Sequence, residues 1–482
     1  MSDNNIEHCL ANGPMSAIGN EYRSRRLSVS EAVRWYLARI EAFNRVGPVL
    51  KAVRTPNPRA LDDAAELDDE LARGVDRGPL HGIPVLFKDN ILAAGMKASA
   101  GAAALADFVP RRDATLVRRL REAGAVVLGK TNMTEFADYV SDVMPSGFSA
   151  AGGVVCNPHG IDYGRGQGSS VGSAAAVAAA FAPIAIGSET QNSIQTPACY
   201  SSVVGYKPSV GTVSRTGVVP LVPSQDSPGP LARTVDDAAL VAAAIAGADL
   251  KDTLTLIRPL WRCEFERLDT LTGVCIGVPR RTIADRADLS AVLPLFENVL
   301  SRLSRAGARI VDPCELPSAE QLQDVRSCVF RTEFKAALND FLEAHDRPCE
   351  IGSLEALIAW NERRPEAIPY GQTLLIAANA TAGLRDPAYR ADRARDIALS
   401  RMAGIDAALE MAGADVLIAP MGSAAKCTGK AGAPVVALPA GVASTGTPFG
   451  VTLFASLGSD LKLLRIASAV ERIIDGRRTP KL

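Results

Sequence analysis

The stretch Ala114-Thr-Leu-Val-Arg-Arg-Leu-Arg-Glu-Ala123, followed after Gly124 by Ala125-Val-Val-Leu128, sets an amphipathic helix ahead of a short apolar strand. Leu116, Val117 and Leu120 fall on one side of the helix and arginines on the other, as in a helix lying on a core. The strand shows no polar alternation, which suits a strand covered on both faces. The pattern recurs along the chain. Pro84 to Phe87 is a short apolar strand ended by Lys88-Asp-Asn90, and Val274-Cys-Ile-Gly-Val278 precedes a helix around Val292–Arg305. The tail alternates strands at Val416–Ala419, Val435–Leu438 and Gly450–Phe454 with a closing helix from Leu461 to Ile474. This order predicts an α/β fold: a mixed, mostly parallel central sheet with helices on both faces.

Upstream of these elements, residues 16–75 read as helices, with Ser28 or Ser30 as a cap for the segment that follows Leu27. The expected organisation is an N-terminal helical region (1–75) packed on an α/β domain (76–482). Within that domain a peripheral helical layer is expected at about 318–400, interrupted at Arg347–Cys349 and Pro365–Gly371. Val171 to Ser188 is uncharged and rich in Ala and Gly, and Pro183 splits it into a buried helix and a strand. Pro220 to Pro230 carries four prolines and a glycine and reads as an ordered loop. There is no internal repeat and no low-complexity linker, so one compact domain is expected.

Composition narrows the function. Apolar residues make up 47% and charged residues 22%, with a net charge of −1 and the two signs interspersed, so neither a nucleic-acid footprint nor a polybasic membrane patch is expected. Nine scattered cysteines with no C-x-x-C pair fit reduced thiols in a cytoplasmic protein. Met1 to His8 lacks a basic n-region and an apolar h-region, so no signal peptide is expected. Four dispersed histidines without H-x-x-x-H spacing leave no metal site, and no cofactor is called for.

Two further matches fail on context. Gly124-Ala-Val-Val-Leu-Gly-Lys-Thr131 fits the P-loop expression, but its intervening residues form a strand whose N–H groups belong to a sheet. Gly168-Ser-Ser-Val-Gly172 fits the nucleophile elbow of an α/β-hydrolase, which would make Ser170 the nucleophile. The residues before it are loop, however, and the only later histidine is His345, in a charged helical context.

One constellation remains. Ser169 in Gly166-Gln-Gly-Ser-Ser-Val-Gly-Ser173 and Ser193 in Gly187-Ser-Glu-Thr-Gln-Asn-Ser-Ile-Gln195 stand in turn-forming contexts, and Lys88 leaves an apolar strand. Two hydroxyls and a buried amine can supply a nucleophile, a proton relay and a base. Burial lowers a lysine pKa by ~3–5 units, into the range of a general base at neutral pH.

These segments resemble the amidase signature family over nearly the whole chain. The resemblance rests on Leu80-His-Gly-Ile-Pro-Val-Leu-Phe-Lys-Asp-Asn90, Arg119 to Asn132, Gly168-Ser-Ser-Val-Gly-Ser-Ala-Ala-Ala-Val-Ala178, Val204-Gly-Tyr-Lys-Pro-Ser-Val-Gly211 and Ala431-Gly-Ala-Pro-Val-Val-Ala-Leu-Pro-Ala-Gly441. Glu333-Phe-Lys, Trp360-Asn361 and Tyr370-Gly-Gln372 are similar to the branch of peptide amidases and aryl-acylamidases. The resemblance implies that Ser193 is the nucleophile of an acyl-enzyme, Ser169 a relay held by a cis peptide, and Lys88 the base. It implies an oxyanion hole from the backbone N–H groups of Thr190, Gln191, Asn192 and Ser193, with Ser170, Glu189 and Gln195 in support. The chain departs from the family at Asn192, where glycine permits positive φ, at Gln195, where arginine is usual, and at Val171.

The expected activity is hydrolysis of a small, uncharged amide or anilide, without metal or cofactor. The expected partner is that small molecule, with a homodimer possible. Three alternatives stay open: a carbamate or ester hydrolase or acyl transferase on the same residues, one subunit of an amidotransferase that works on aminoacyl-tRNA, and a catalytically silent binding protein.

Overall fold

The arginine-flanked stripe of Leu116, Val117 and Leu120 is buried in a helix spanning Thr115–Glu122, and the apolar run after it is a strand. The computed structural model describes residues 3–257, 267–284 and 286–482. Its strands are Val53–Pro56 (β1), Pro84–Lys88 (β2), Val126–Thr131 (β3), Phe148–Ser149 (β4) and Gly153–Val154 (β5). Next come Ile184–Glu189 (β6), Val204–Lys207 (β7), Ser227–Ala232 (β8), Cys275–Gly277 (β9) and Arg309–Val311 (β10). Val416–Pro420 (β11), Val435–Val442 (β12) and Pro448–Phe454 (β13) complete the set.

Apart from the small β4–β5 ribbon, the strands make one mixed sheet in the order β1-β3-β2-β6-β8-β7-β12-β13-β11-β9-β10. Parallel pairing joins β3, β2 and β6 on one flank and β11, β9 and β10 on the other. The middle, from β6 through β8, β7, β12 and β13 to β11, is antiparallel. One apolar core runs from Leu10 and Tyr36 through Phe87, Phe181 and Phe449 to Ile474. The N-terminal helices therefore share the core of the sheet.

Two local expectations are corrected. Residues 16–75 are not helical throughout, because Val53–Pro56 adds β1 to the edge of the sheet beside β3. The proline-rich segment ends in β8 rather than in loop. Pro228, Gly229 and Pro230 lie in register with Ser188, Gly187 and Ile186 of β6. On its other side β8 pairs with β7 only at Leu231 and Ala232, so the prolines sit where the strand is locally an edge and a missing N–H is tolerated.

The uncharged run splits as expected, into the fully buried helix Val171–Ala178 and β6. Its small side chains let the helix lie close against the sheet. A Cβ on Gly172 would stand 2.1 Å from Asn132 O and 2.8 Å from Ala52 O, so only glycine fits there.

Helices Val329–Ala344, Leu354–Glu362 and Thr373–Asn379 occupy the peripheral layer expected at 318–400. They build a second core in which Phe334, Leu338, Leu354 and Leu375 cover Met133, Phe136 and Val140. This layer packs on the segment that follows β3.

Candidate active site

Parallel neighbours β2 and β6 bring Lys88 and the pair Ser188–Glu189 together at their carboxyl ends, where open α/β sheets hold their ligands. Lys88 is fully buried. Its Nζ donates to Ser169 Oγ at 2.7 Å, Ser188 Oγ at 3.0 Å and Ser188 O at 3.1 Å. Asn90 Nδ2 holds the Ser188 hydroxyl from the other side at 2.9 Å. Burial pushes the Lys88 pKa down to about 7, against the opposing pull of the Asp226, Glu189 and Asp138 carboxylates. An ammonium has three donors and no acceptor, whereas the free amine has two donors and a lone pair. The Ser188 carbonyl can only accept, so the lone pair of the free amine must be met by a serine hydroxyl. The arrangement can thus move a proton between Lys88 and Ser169.

Ser169 follows Gly168, whose φ is +89°; a Cβ there would lie 2.8 Å from both Ser193 Cα and Asn192 O. Glycine therefore lets the two serine loops cross in contact. Ser170 N–H donates to Ser193 O at 3.0 Å, and Ser169 O accepts from Thr134 N–H at 3.1 Å. Both peptide groups around Ser169 are hydrogen-bonded in the trans form. Among the described residues Asp312–Pro313 is the only cis bond, so the expected cis peptide at Ser169 is corrected.

The expected contact between the two hydroxyls is also not closed. Ser193 is buried, but among the described residues its Oγ makes no hydrogen bond, whereas Ser169 Oγ is bound to Lys88. A tie between the two loops is made by their main chains, through Ser170 N–H and Ser193 O.

Glu189 shapes the turn that carries Ser193. Its Oε2 accepts Ile194 N–H at 2.6 Å and Gln195 N–H at 2.8 Å, and its Oε1 accepts Gln195 Nε2 at 2.7 Å. Burial raises the Glu189 pKa, opposed first by Lys207 and then by these donors. Gln195 also donates to Gln191 O at 2.8 Å, while its own Oε1 is buried without a partner. With Ile194 and Gln195 tied back, the N–H groups of Thr190, Gln191, Asn192 and Ser193 donate to no acceptor among the described residues. Asn192 is not in the left-handed region, so its replacement of glycine brings no φ penalty. Instead its Nδ2 donates to Gly166 O at 2.6 Å and ties the two serine loops once more. Ser170 bridges to β6, donating to Ser188 O at 3.0 Å and accepting Ser188 N–H at 3.2 Å.

Three participants escaped the sequence reading. Ser188 precedes the expected Glu189 in the strand itself, where its register gave no sign of a polar role. Asp226 lies in the proline-rich segment and accepts Thr190 Oγ1 at 2.5 Å and the N–H groups of Leu221 and Val222 at 2.9 Å each. Asp138 follows β3 in a segment without periodicity. Beside this group lies a cavity of about 360 Å³, with Asn90, Ala137, Ser188, Thr190, Val218 and Phe341 on its wall. Ser188 and Thr190 are its points of contact with the serine–lysine group; Ser169 and Ser193 are not on the wall.

Gly129 and Lys130 of the P-loop match lie inside β3. His81, His159 and His345 each bond a backbone carbonyl. Among the described residues no group of three or more His, Cys, Asp or Glu side chains could hold a metal ion, and no helix is long and apolar enough to cross a membrane.

The Amidase family model matches residues 31–464. The crystal structure of a native peptide amidase from Stenotrophomonas maltophilia superposes with a TM-score of 0.90 at 41% identity, covering 97% of this chain and 98% of that one. A probable amidase of Arabidopsis thaliana is 33% identical over 476 residues, 95% of this chain and 90% of that protein. One of the glutamyl-tRNA(Gln) amidotransferase subunits of Symbiobacterium thermophilum is 32% identical over 473 residues, 93% of this chain and 94% of that protein.

Proposed function

Since this chain belongs to the amidase family and is a hydrolase of amide carbon–nitrogen bonds, we propose that Ser193, Ser169 and Lys88 carry the reaction through an acyl-enzyme. Neutral Lys88 takes the proton of Ser169, which takes that of Ser193, while Ser193 Oγ bonds to the substrate carbonyl carbon. The negative charge that develops on the carbonyl oxygen is met by the N–H groups of Thr190 to Ser193. A donor of this kind is worth about 2.7–4 kcal/mol in the transition state. The relay then runs backwards: Lys88 returns its proton through Ser169 to the leaving nitrogen, the C–N bond breaks and the acyl group stays on Ser193. Water, deprotonated by the same relay, adds to the acyl carbon and releases the acid.

The observation that carries this reading is the 2.7 Å bond from the fully buried Lys88 Nζ to Ser169 Oγ. We take the substrate to be a small, uncharged amide or anilide. In support, the two charged groups of the adjoining cavity nearest the serine–lysine group in sequence, Arg215 and Asp226, have partners of their own: Arg215 pairs with Asp252, and Asp226 holds Thr190.

The test is turnover of a panel of alkyl and aryl amides by the wild type and by Ser193→Ala, with hydroxylamine added to trap the acyl group as hydroxamate. The wild type is expected to form hydroxamate and the variant neither acid nor hydroxamate. Equal turnover by the two would remove Ser193 from the nucleophile's role. The likeness to amidotransferase subunits supports a second reading, in which the chain works only within an assembly. Purified chain that hydrolyses the panel unaided would exclude it.

A further inference from the structure

The sheet has two parallel flanks, and they point in opposite directions. From β6 to β11 the pairings β6–β8, β8–β7, β7–β12, β12–β13 and β13–β11 are five antiparallel steps, an odd number, so β11 runs against β6. β9 and β10 run with β11. The carboxyl ends of this second flank therefore lie at the other end of the sheet from those of β2 and β6. Open α/β sheets hold ligands outside the carboxyl ends of their parallel strands, and a cavity of about 230 Å³ lies there. Its wall comes from the segments that follow the three strands: Arg281 and Arg286 after β9, Leu316 and Leu322 after β10, Ser423 and Lys426 after β11. Lys88, Ser169 and Ser193 are not on it.

The floor is apolar. Leu316, Leu322, Ala424 and Cys427 are buried, and burial pushes the Cys427 thiol up to about 12, so it stays neutral. The charges of both arginines are matched: Arg281 pairs with Glu320, and Arg286 forks onto Asp288 at 2.8 and 2.7 Å. Lys426 differs. Its Nζ donates to Gln323 O at 2.9 Å and Val325 O at 3.5 Å, at the end of helix Ala319–Asp324. None of the ion pairs among the described residues includes it. An ammonium has three donors, so one is left over. Burial lowers the Lys426 pKa, as do Lys430 and Arg326, against the pull of Asp396 and Asp324.

Ser423, on the same wall, has a buried hydroxyl with no hydrogen-bond partner among the described residues. The chain is already turned there, since Ala425 N–H donates to Gly422 O and Cys427 N–H to Ala424 O, both at 3.0 Å. Residues three apart in such a turn stand on one side, which puts Ser423 and Lys426 on a common face.

We propose that this cavity binds an aliphatic carboxylate, with its tail on the apolar floor and its two oxygens on Lys426 Nζ and Ser423 Oγ. Two donors match two carboxylate oxygens. A phosphate would bring more acceptors than these donors satisfy, and a neutral hydrocarbon would leave the ammonium unmet. At ~30 Å³ for each water-sized group, the cavity takes roughly eight such groups, the size of hexanoate.

The experiment is calorimetric titration of the full chain with hexanoate, acetate, hexan-1-ol and inorganic phosphate, using the wild type, Lys426→Met, Lys426→Arg and Ser423→Ala. Hexanoate is expected to bind the wild type, and acetate, shorter by four methylenes, to bind about 100-fold more weakly. Lys426→Met is expected to weaken hexanoate by about 10- to 100-fold, the range of a hydrogen bond to a charged group, and Ser423→Ala by about tenfold. Lys426→Arg keeps the charge and is expected to recover most of the affinity that Lys426→Met loses, which guards against loss of fold.

Hexanoate affinity that is unchanged in Lys426→Met overturns the proposal. Competitive inhibition of amide hydrolysis with that same unchanged constant would place the acid at the serine–lysine group instead. Hexan-1-ol or phosphate binding as tightly as hexanoate overturns the assignment of a carboxylate.

Discussion

Replacing Lys88 with methionine should abolish turnover and flatten one pH dependence of stability. Lys88 drops from 10.5 to about 7 on folding because it is fully buried. Between those two values the unfolded chain binds a proton that the native chain does not. Stability therefore rises with pH through this window and is lost as pH falls toward 7. Integrated from pH 6 to pH 9 at 1.36 kcal/mol per unit, the Lys88 contribution comes to roughly 2–3 kcal/mol. Methionine fills similar space and cannot titrate. It also leaves Ser169 Oγ without its partner, at about 1–3 kcal/mol, while Ser188 Oγ and Ser188 O keep Asn90 and Ser170 as donors; that loss is the same at both pH values and cancels. The assay is denaturant unfolding of the wild type and Lys88→Met at pH 6 and pH 9. The wild type should gain about 2–3 kcal/mol over the variant between the two, and its kcat/KM should rise with a midpoint near pH 7. A stability difference that is identical at both pH values would refute the claim that folding depresses this amine.

Other expected outcomes bear on the frame of the site. Gly172→Ala drives a methyl to 2.1 Å from Asn132 O, so overpacking should lower stability by about 1–3 kcal/mol or more, read as a fall in Tm. Thr190→Val removes the 2.5 Å bond to the partly buried Asp226 carboxylate, which helps to fix the Thr190 main chain. Loss of a bond to a charged group should cost about tenfold or more in kcat, with KM held, because the donors of Thr190 to Ser193 act on charge that exists only in the transition state. An equal loss in KM would assign Thr190 to ground-state binding instead.

The sequence made the flanks of the fold legible and left its middle obscure, for a physical reason. Helix 115–122 and β3 could be read because amphipathic spacing followed by an apolar run has one good solution, a helix lying on a sheet. The antiparallel return through β8, β7 and β12 has no such signature. Prolines 228 and 230 argued for loop, and only the short pairing of β8 with β7 shows why a strand tolerates them. The serines and lysine could be singled out because turn-rich contexts and an apolar approach constrain side-chain type. The residues that hold them could not. Ser188 sits in a strand like any small residue, and Asp226 and Asp138 lie where the chain has no period. The contacts of the Ser169 peptide groups with Thr134 and Ser193 join segments far apart in the chain, which no local pattern encodes.

Burial joins these parts into one argument. A lysine becomes a base near neutral pH only if it is dry, and a dry ammonium destabilises the fold that surrounds it. The chain meets this with a wholly buried helix of alanine, glycine, serine and valine beside β6, close enough to exclude water and small enough to let Asn132 and Ala52 press on Gly172. Ser169, Ser170 and Ser173 lie in or just before that helix and bond Lys88, Ser188 and Thr131. The apolar face and the polar relay thus come from one stretch of sequence. A larger side chain on that face would part the helix from β6 and hydrate Lys88, so selection for tight packing and selection for a neutral amine act on the same residues.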